Sequence, residues 1–408
     1  MAVARRPEEE DTPEQAEYRA TLKKWLEKNL PSKPSFHLPL SFLEVETKDQ
    51  LDYLQAWQKK CYEAGYVGIE VAKQYGGHGG QPWQAKIVNQ EFARSRAPIL
   101  FNVVAMRMAM PTILTHGTEE QKKKYVGRIL SGDDVWAQGF SEPNAGSDLG
   151  SVQTFVEKRG DHYIANGHKI WTTVGQFGDY MILLARTNKE AKKHEGLSYF
   201  LLPMKQPGVE VKPLVKMTRE ATFNQVHIEN AKIPLDCLLG REGQGWTIAM
   251  TTLLHERGAS GGGDGQGLHV AFEGAVARIG KLAKEVKRGK SRAIDDPVVR
   301  DRLAQMAIEA ECVRQNGTRL RVQALHDWPM GLLLMSKLTY SELMMRMQEL
   351  SVELQGPAAG QGHGSPNAID GGSWQLAHMN GYGPIIGGGT SEIQKNIIGE
   401  RILGLAKG

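Results

Sequence analysis

The sequence predicts an α+β protein built as three successive sections: helices, then an antiparallel β section, then helices again. Three observations carry that expectation. Helix start signals and apolar spacings of three and four fill residues 12–132, and short β-branched and aromatic runs broken by turns begin near Trp136. Helical periodicity returns near Gly243 and continues to Leu405. The expected sections are therefore 1–134, 135–242 and 243–408, and 408 residues suffice for two or three packed domains.

In the first section, Thr12-Pro13-Glu14-Gln15 sets a cap, a proline at the first helical position and a capping-box glutamine in order. Thr118-Glu119-Glu120-Gln121 repeats the signal. Leu22, Trp25 and Leu26, then Leu51, Leu54, Trp57 and Cys61, mark helices with one buried face. In the second section, strands are expected over 161–165, 180–185, 197–203, 209–213 and 222–228, with turn residues between them. No tandem repeat is visible.

Composition excludes several classes. The 46 glycines exceed the usual share of roughly 7 %, but six lie in 258–267 and eleven in 356–389, without any G-x-y period. A formal charge of +4 without long like-charge blocks gives no support for nucleic-acid binding. Cys61, Cys237 and Cys312 are too few and scattered for a disulfide framework or a metal site, so a reducing compartment and no metal are expected. No apolar run reaches the roughly 20 residues of a membrane span. The start, MAVARRPEEED, turns acidic before any apolar segment, which suits neither a secretory nor a mitochondrial leader; a cytoplasmic protein is expected.

Two segments of the middle section carry chemistry. Gly139-Phe140-Ser141-Glu142-Pro143-Asn144-Ala145-Gly146-Ser147-Asp148 reads as a strand end and a tight turn, where glycine admits a close backbone approach and hydroxyls and amides can donate to phosphate or other polar atoms. Alone it is an ordinary polar β-turn. Further on, Asn166-Gly167-His168-Lys169-Ile170-Trp171-Thr172-Thr173 sets a large aromatic beside two hydroxyls on a strand, a pattern a plain core tryptophan would also show.

Together these segments resemble the acyl-CoA dehydrogenase family, whose middle β domain carries a near-identical pair that cradles FAD. The resemblance extends over 221–234, 240–246 and Gly389-Thr390-Ser391-Glu392-Ile393-Gln394, nearly the whole chain in the right order. It implies an N-terminal helical domain, a middle antiparallel β-barrel and a C-terminal four-helix bundle. It also implies FAD as cofactor, with Gln138, Phe140, Ser141, Gly146 and Ser147 against the isoalloxazine and its neighbours, and Ser147 also near the CoA arm. Trp171 and Thr173 would flank the flavin, with the Thr173 hydroxyl close to N5; Thr390 and Glu392 would belong to a loop that touches other parts of the cofactor.

The family's reaction takes a proton from the α-carbon of an acyl-CoA while hydride leaves the β-carbon for flavin N5, giving the trans-2-enoyl-CoA. Many members use a glutamate in a Glu-Gly-Thr-Ser run near the C-terminus. Here the run reads Gly387-Gly388-Gly389-Thr390-Ser391, and Gly388, at the base's position, has no side chain to accept a proton. Members resembling isovaleryl- and long-chain acyl-CoA dehydrogenases carry the glutamate on the first long helix of the C-terminal domain, directly before an arginine. Leu253-Leu254-His255-Glu256-Arg257 matches that pattern, so Glu256 is the expected base and Arg257 a contact for the acyl-CoA. A carboxylate desolvated between flavin and acyl chain has a raised pKa, which suits carbon-acid chemistry. Out of context Glu256 and Arg257 would read as a helix-surface ion pair, and His255 reads as structural. The Gly388 N–H is expected to keep the family's oxyanion role.

Two stretches depart from the family. Its Arg-x-x-Phe-Gly turn is replaced around Lys287-Arg288-Gly289-Lys290-Ser291-Arg292, where the arginines read as a solvated turn or as pyrophosphate ligands. Its usual Gly-Gly run before the final helices reads Leu354-Gln355-Gly356-Pro357, followed by a long loop over 358–374 whose His363 and Asp370 read as surface. The resemblance further implies an electron-transfer flavoprotein as electron acceptor and a homo-oligomer (dimer or tetramer) or a heterotetramer. An acyl-CoA oxidase or flavin monooxygenase, and a non-catalytic flavin-binding subunit, are the other readings; a dead subunit is expected to lack both bases, and Glu256 speaks against it. A long or bulky acyl group is expected, because glycines follow Glu256.

Overall fold

The computed structural model describes residues 11–36, 38–39, 45–256, 266–320, 322–325, 329–362 and 365–406. The chain forms two compact units, one running to Lys216 and resuming over Glu220–Thr252, the other made of Met217–Arg219 and Leu253–Gly408.

The first unit begins with helices. Thr12 caps α1 (Pro13–Asn29) through a full capping box with Gln15, and Thr118 caps α5 (Glu119–Ser131) in the same way with Gln121, as the sequence predicts. A third box, Thr47 with Gln50 on α2 (Lys48–Glu63), follows the same rule. Leu22 and Leu26 on α1 and Leu51, Leu54, Trp57 and Cys61 on α2 are buried, so the three-four spacing marks the core face. Helices α3 (Pro82–Ser95) and α4 (Met110–His116) complete this section.

The strands are β1 (Trp136–Gly139), β2 (Phe155–Arg159), β3 (His162–Thr173), β4 (Tyr180–Arg186), β5 (Leu197–Pro203), β6 (Val209–Leu214), β7 (Phe223–Pro234) and β8 (Leu238–Leu239). They form one sheet in the order β6-β7-β3-β2-β4-β5-β8, with β1 beside β4. Five of its pairings are antiparallel, as expected, but β1 and β2 each run parallel to β4. The reason is connectivity: β1 enters from a helix rather than a hairpin, and a parallel pair needs only a long crossover. β1 covers Tyr180 to Leu183 of β4, and β2 meets the same strand at Arg186. Residues 140–154 therefore leave the sheet between two strands that share one edge of β4.

Helix α6 (Gly245–Leu254) starts against β5. A Cβ on Gly245 would lie 2.5 Å from the Ser198 nitrogen and 2.6 Å from the Leu197 carbonyl carbon, so no side chain fits without moving backbone. Gly245→Ala is expected to destabilise the protein by about 1–3 kcal/mol, in line with overpacking of a tight core; a thermal melt within a degree of wild type would contradict this.

In the second unit, α7 (Gln266–Glu285), α8 (Pro297–Arg319), α9 (Pro329–Gln355) and α10 (Ser373–Ile386) share a core that includes Phe272, Ile279, Val299, Leu303, Leu343, Leu350 and Trp374. Short strands β9 (Lys287–Arg288) and β10 (Ser291–Arg292) form the hairpin between α7 and α8, and α11 (Ser391–Ile397) follows α10. Arg288 and Arg292 pair with Asp296 and Asp295 at 3.4 and 3.6 Å on this exposed hairpin. Asp370 accepts from the Trp374 indole N–H at 2.7 Å, which gives it a local structural task; His363 lies outside the described residues. Among the described residues no helix is long and apolar enough to cross a membrane, and no cluster of three His, Cys, Asp or Glu could hold a metal.

Candidate active site

In the first unit the turn after β1 is closed by two reciprocal backbone bonds between Glu142 and Ala145, both 3.0 Å. Ser141 is partly exposed, and its carbonyl accepts from the Ile170 N–H at 3.0 Å, which ties this turn to β3. Gly146, Ser147 and Asp148 are exposed, and Asp148 is held by Lys193 and Ser151, both at 2.6 Å. Phe140 is buried with its ring edge-on to Tyr199. Gln138 is half-buried on β1.

The glycines of this segment differ in cause. A Cβ at Gly139 would fall 2.1 Å from the Met181 sulfur, so its own core requires glycine there. At Gly146 a Cβ would meet nothing within 4 Å. The chain's own packing does not account for Gly146.

Trp171 is 55 % exposed and has φ of 60°, the left-handed region that a bulky side chain rarely adopts. The β3–β7 register shifts between Lys169 and Thr172, and the tryptophan rides on that irregularity with its edge toward Phe223 at 5.9 Å. Thr173 beside it is half-buried, while the Thr172 hydroxyl is buried without a hydrogen-bond partner. Strain of this kind, kept at an exposed aromatic, is typical of ligand sites.

Beneath the segment lies Lys169, wholly buried. Its Nζ donates to the Phe140 carbonyl at 3.0 Å, to Glu142 Oε1 at 2.8 Å and to the Leu184 carbonyl at 2.8 Å. Glu142 also accepts from the N–H groups of Gln153 at 2.7 Å and Thr154 at 2.8 Å. Burial pushes the Lys169 ammonium down to about 8, opposed by the Glu142 charge, so it stays protonated at neutral pH. Burial also pushes the Glu142 carboxyl up, but the Lys169 charge and the donated bonds outweigh it and hold the group below its ordinary value of 4.5. The stability that this depression contributes is complete above about 4.5 and is lost as pH falls through the folded-state value. Glu142→Gln should therefore melt below wild type at pH 7, with the gap closing in acid; a gap that persists at low pH would show the carboxylate charge is not the cause.

In the second unit, helical geometry changes to a π turn at His255 and Glu256, a local widening often found at functional positions. Glu256 is exposed, and its Oε1 lies 3.4 Å from the position a Cβ on Gly388 would take. The Glu256 carboxylate and the place of a side chain at Gly388 thus converge on one small volume. Gly388 and Gly389 have φ of 65° and 94°. Their carbonyls are held in turn: Gln394, wholly buried, donates to Gly388 at 2.8 Å, and Lys337 Nζ donates to Gly389. Thr390 caps α11 by accepting from the Ile393 N–H at 3.3 Å. The exposed Glu392 accepts from its own N–H and the Thr390 hydroxyl, which lower its pKa, so it serves the helix start. The buried His255 Nδ1 has no partner and burial lowers the pKa, leaving the ring neutral. Arg257, expected at the substrate, and most of the glycines after it lie outside the described residues.

Comparison with known proteins matches three consecutive family models to the chain: acyl-CoA dehydrogenase N-terminal domain over 12–133, middle domain over 137–231 and C-terminal domain over 243–403. The chain belongs to the acyl-CoA dehydrogenase family. The acyl-CoA dehydrogenase IpdE1 of Mycobacterium tuberculosis is 32 % identical over 392 residues, which cover 96 % of this chain and 98 % of that protein. Among solved structures, the ChsE4-ChsE5 complex of Mycobacterium tuberculosis aligns with a TM-score of 0.75 at 27 % identity, covering 98 % of this chain and 100 % of that one. The Tcur3481-Tcur3483 steroid ACAD aligns at 0.76 and 26 %, with the same coverage. This acyl-CoA dehydrogenase is accordingly an FAD-dependent oxidoreductase of CH–CH groups with the family's helical, sheet and helical architecture.

The residues present fit FAD. An exposed, strained Trp171, a glycine that no protein atom explains at 146 and an orphaned hydroxyl at Thr172 are features a flat, polar-edged cofactor would account for. Lys169 and Glu142 of this acyl-CoA dehydrogenase were not singled out from the sequence. Period-two counting along β3 from Tyr163 and Ala165 would have flagged Lys169 as an inward lysine in need of a partner.

Proposed function

We propose that this acyl-CoA dehydrogenase oxidises a bulky acyl-CoA to its trans-2-enoyl-CoA with Glu256 as the base. The observation that carries the reading is the convergence of the Glu256 carboxylate on the space beside Gly388. Glu256 takes the α-proton; enclosure by the acyl chain raises its pKa toward that of a useful base. Gly388 contributes backbone rather than side chain, and its N–H polarises the thioester carbonyl. Bound FAD supplies the acceptor for the hydride that leaves the β-carbon. Gln138, Phe140, Ser141, Gly146, Ser147, Trp171, Thr173, Gly388, Thr390 and Glu392 form the cofactor site in this reading, and Ser147 and Arg257 contact the acyl-CoA.

A ring-bearing acyl group of steroid size is the proposed substrate class, supported by a structural relative described as a steroid ACAD. Electrons pass to an electron-transfer flavoprotein. The proposed assembly is an oligomer, and the ChsE4-ChsE5 complex makes a heteromer the first form to test. The experiment is anaerobic flavin bleaching with a panel of acyl-CoAs, from four-carbon to ring-bearing. Bleaching by the ring-bearing thioesters with slow reoxidation in air supports the reading. Preference for the four-carbon thioester removes the substrate class, rapid reoxidation in air indicates an oxidase, and yellow protein that no acyl-CoA bleaches indicates a non-catalytic subunit.

A further inference from the structure

Residues 140–154 run outside the sheet, yet they sit against two buried cations, one from β3 and one from β4. Arg186 on β4 donates to the carbonyls of Gly150 at 2.9 Å and Val152 at 3.3 Å. Lys169 on β3 holds the other end, and its bond to Leu184 falls in the gap between the stretches of β4 taken by β1 and β2. The lysine therefore occupies the place where the sheet ladder is interrupted, while Glu142 gathers the N–H groups of Gln153 and Thr154 from the far side of the excursion. One ion pair closes the excursion at its base.

A buried ion pair is a poor device for stability alone, because desolvation consumes most of its attraction and a well-packed apolar pair does as well. Its advantage is geometric: each charge has fixed directions in which it is satisfied. Here those directions specify the path of the chain on both sides of Ser141, Gly146 and Ser147, and Lys169 itself lies two residues before Trp171.

We propose that Lys169 and Glu142 are positioning residues that hold the 140–154 excursion and the Trp171 bulge in their FAD-binding shape before the cofactor arrives. The inference rests on the assignment of this segment to the FAD site. Preorganisation of this kind acts on affinity, because the free protein does not have to order the segment on binding. The pair makes no contact with substrate; its role runs through the backbone it pins.

The test compares wild type with Glu142→Gln, Lys169→Met and the K169M/E142Q double variant, each as the full-length apoprotein. Three readouts are taken: FAD affinity by fluorescence titration, site-resolved amide exchange, and thermal stability. Glu142→Gln is the mild variant, since it keeps shape and one acceptor. The expected result is faster exchange confined to 140–154 and the neighbourhood of Trp171, with FAD affinity reduced roughly tenfold to a hundredfold, the range for losing a charged hydrogen bond. The double variant should lose less than the product of the two single losses, because neither charge is then left alone. Unchanged exchange and unchanged affinity in Glu142→Gln and Lys169→Met would overturn the brace itself. Faster exchange with unaltered FAD affinity would instead overturn the assignment of the segment to the FAD site, and with it the proposal. Exchange that rises equally in β4 and β5 would reduce the pair to a general core support and refute a positioning role.

Discussion

Glu256→Gln is expected to slow flavin bleaching by an acyl-CoA by roughly 10²–10⁴-fold, the usual contribution of a positioned base. FAD content and thermal stability should stay near wild type, because Glu256 is exposed and lies outside the buried core. The amide is close in shape to the carboxylate but cannot accept the α-proton, so the loss should fall on the rate of reduction rather than on acyl-CoA binding. Stopped-flow reduction under anaerobic conditions separates the two. An unchanged rate would remove Glu256 from the chemistry and leave the chain without an identified base.

Gly388→Glu, which restores the commoner base position, is expected to reduce the rate instead of raising it. The Gly388 φ of 65° costs an L-residue about 1–2 kcal/mol, and the new Cβ would stand 3.4 Å from Glu256 Oε1. Two carboxylates in that volume cannot both ionise readily, so one is neutralised. The same geometry predicts that Glu256→Gly is partly rescued by Gly388→Glu, by about tenfold or more, since a single carboxylate then reaches the shared space. The double variant should remain below wild type because the backbone strain persists. If Gly388→Glu alone accelerated reduction, the two positions would not be competing for one space.

Much of the local structure was legible from residues a few positions apart. The capping boxes at Thr12 and Thr118 depend on contacts across three residues, and the buried faces of α1 and α2 follow from the helix period. The strand runs at 180–185, 197–203 and 209–213 lie within β4, β5 and β6 for the same reason, because alternation and turn residues act locally. The motif glycines were less transparent. Gly139 and Gly146 belong to one motif, yet only the position of Met181 on a neighbouring strand shows that the first serves packing. Likewise only the fold shows that the Phe140 ring packs edge-on against Tyr199 of β5.

The sequence by itself determined the family and the order of helical and sheet sections, because these reside in local periodicity and in motifs read as strings. Only the tertiary structure decided that β1 and β2 share an edge of β4, that a lysine fills the gap between them and that Glu256 and Gly388 face the same volume. Those facts join residues far apart in the chain, and their energies come from desolvation and steric exclusion. Both exist only once the packed neighbours are in place.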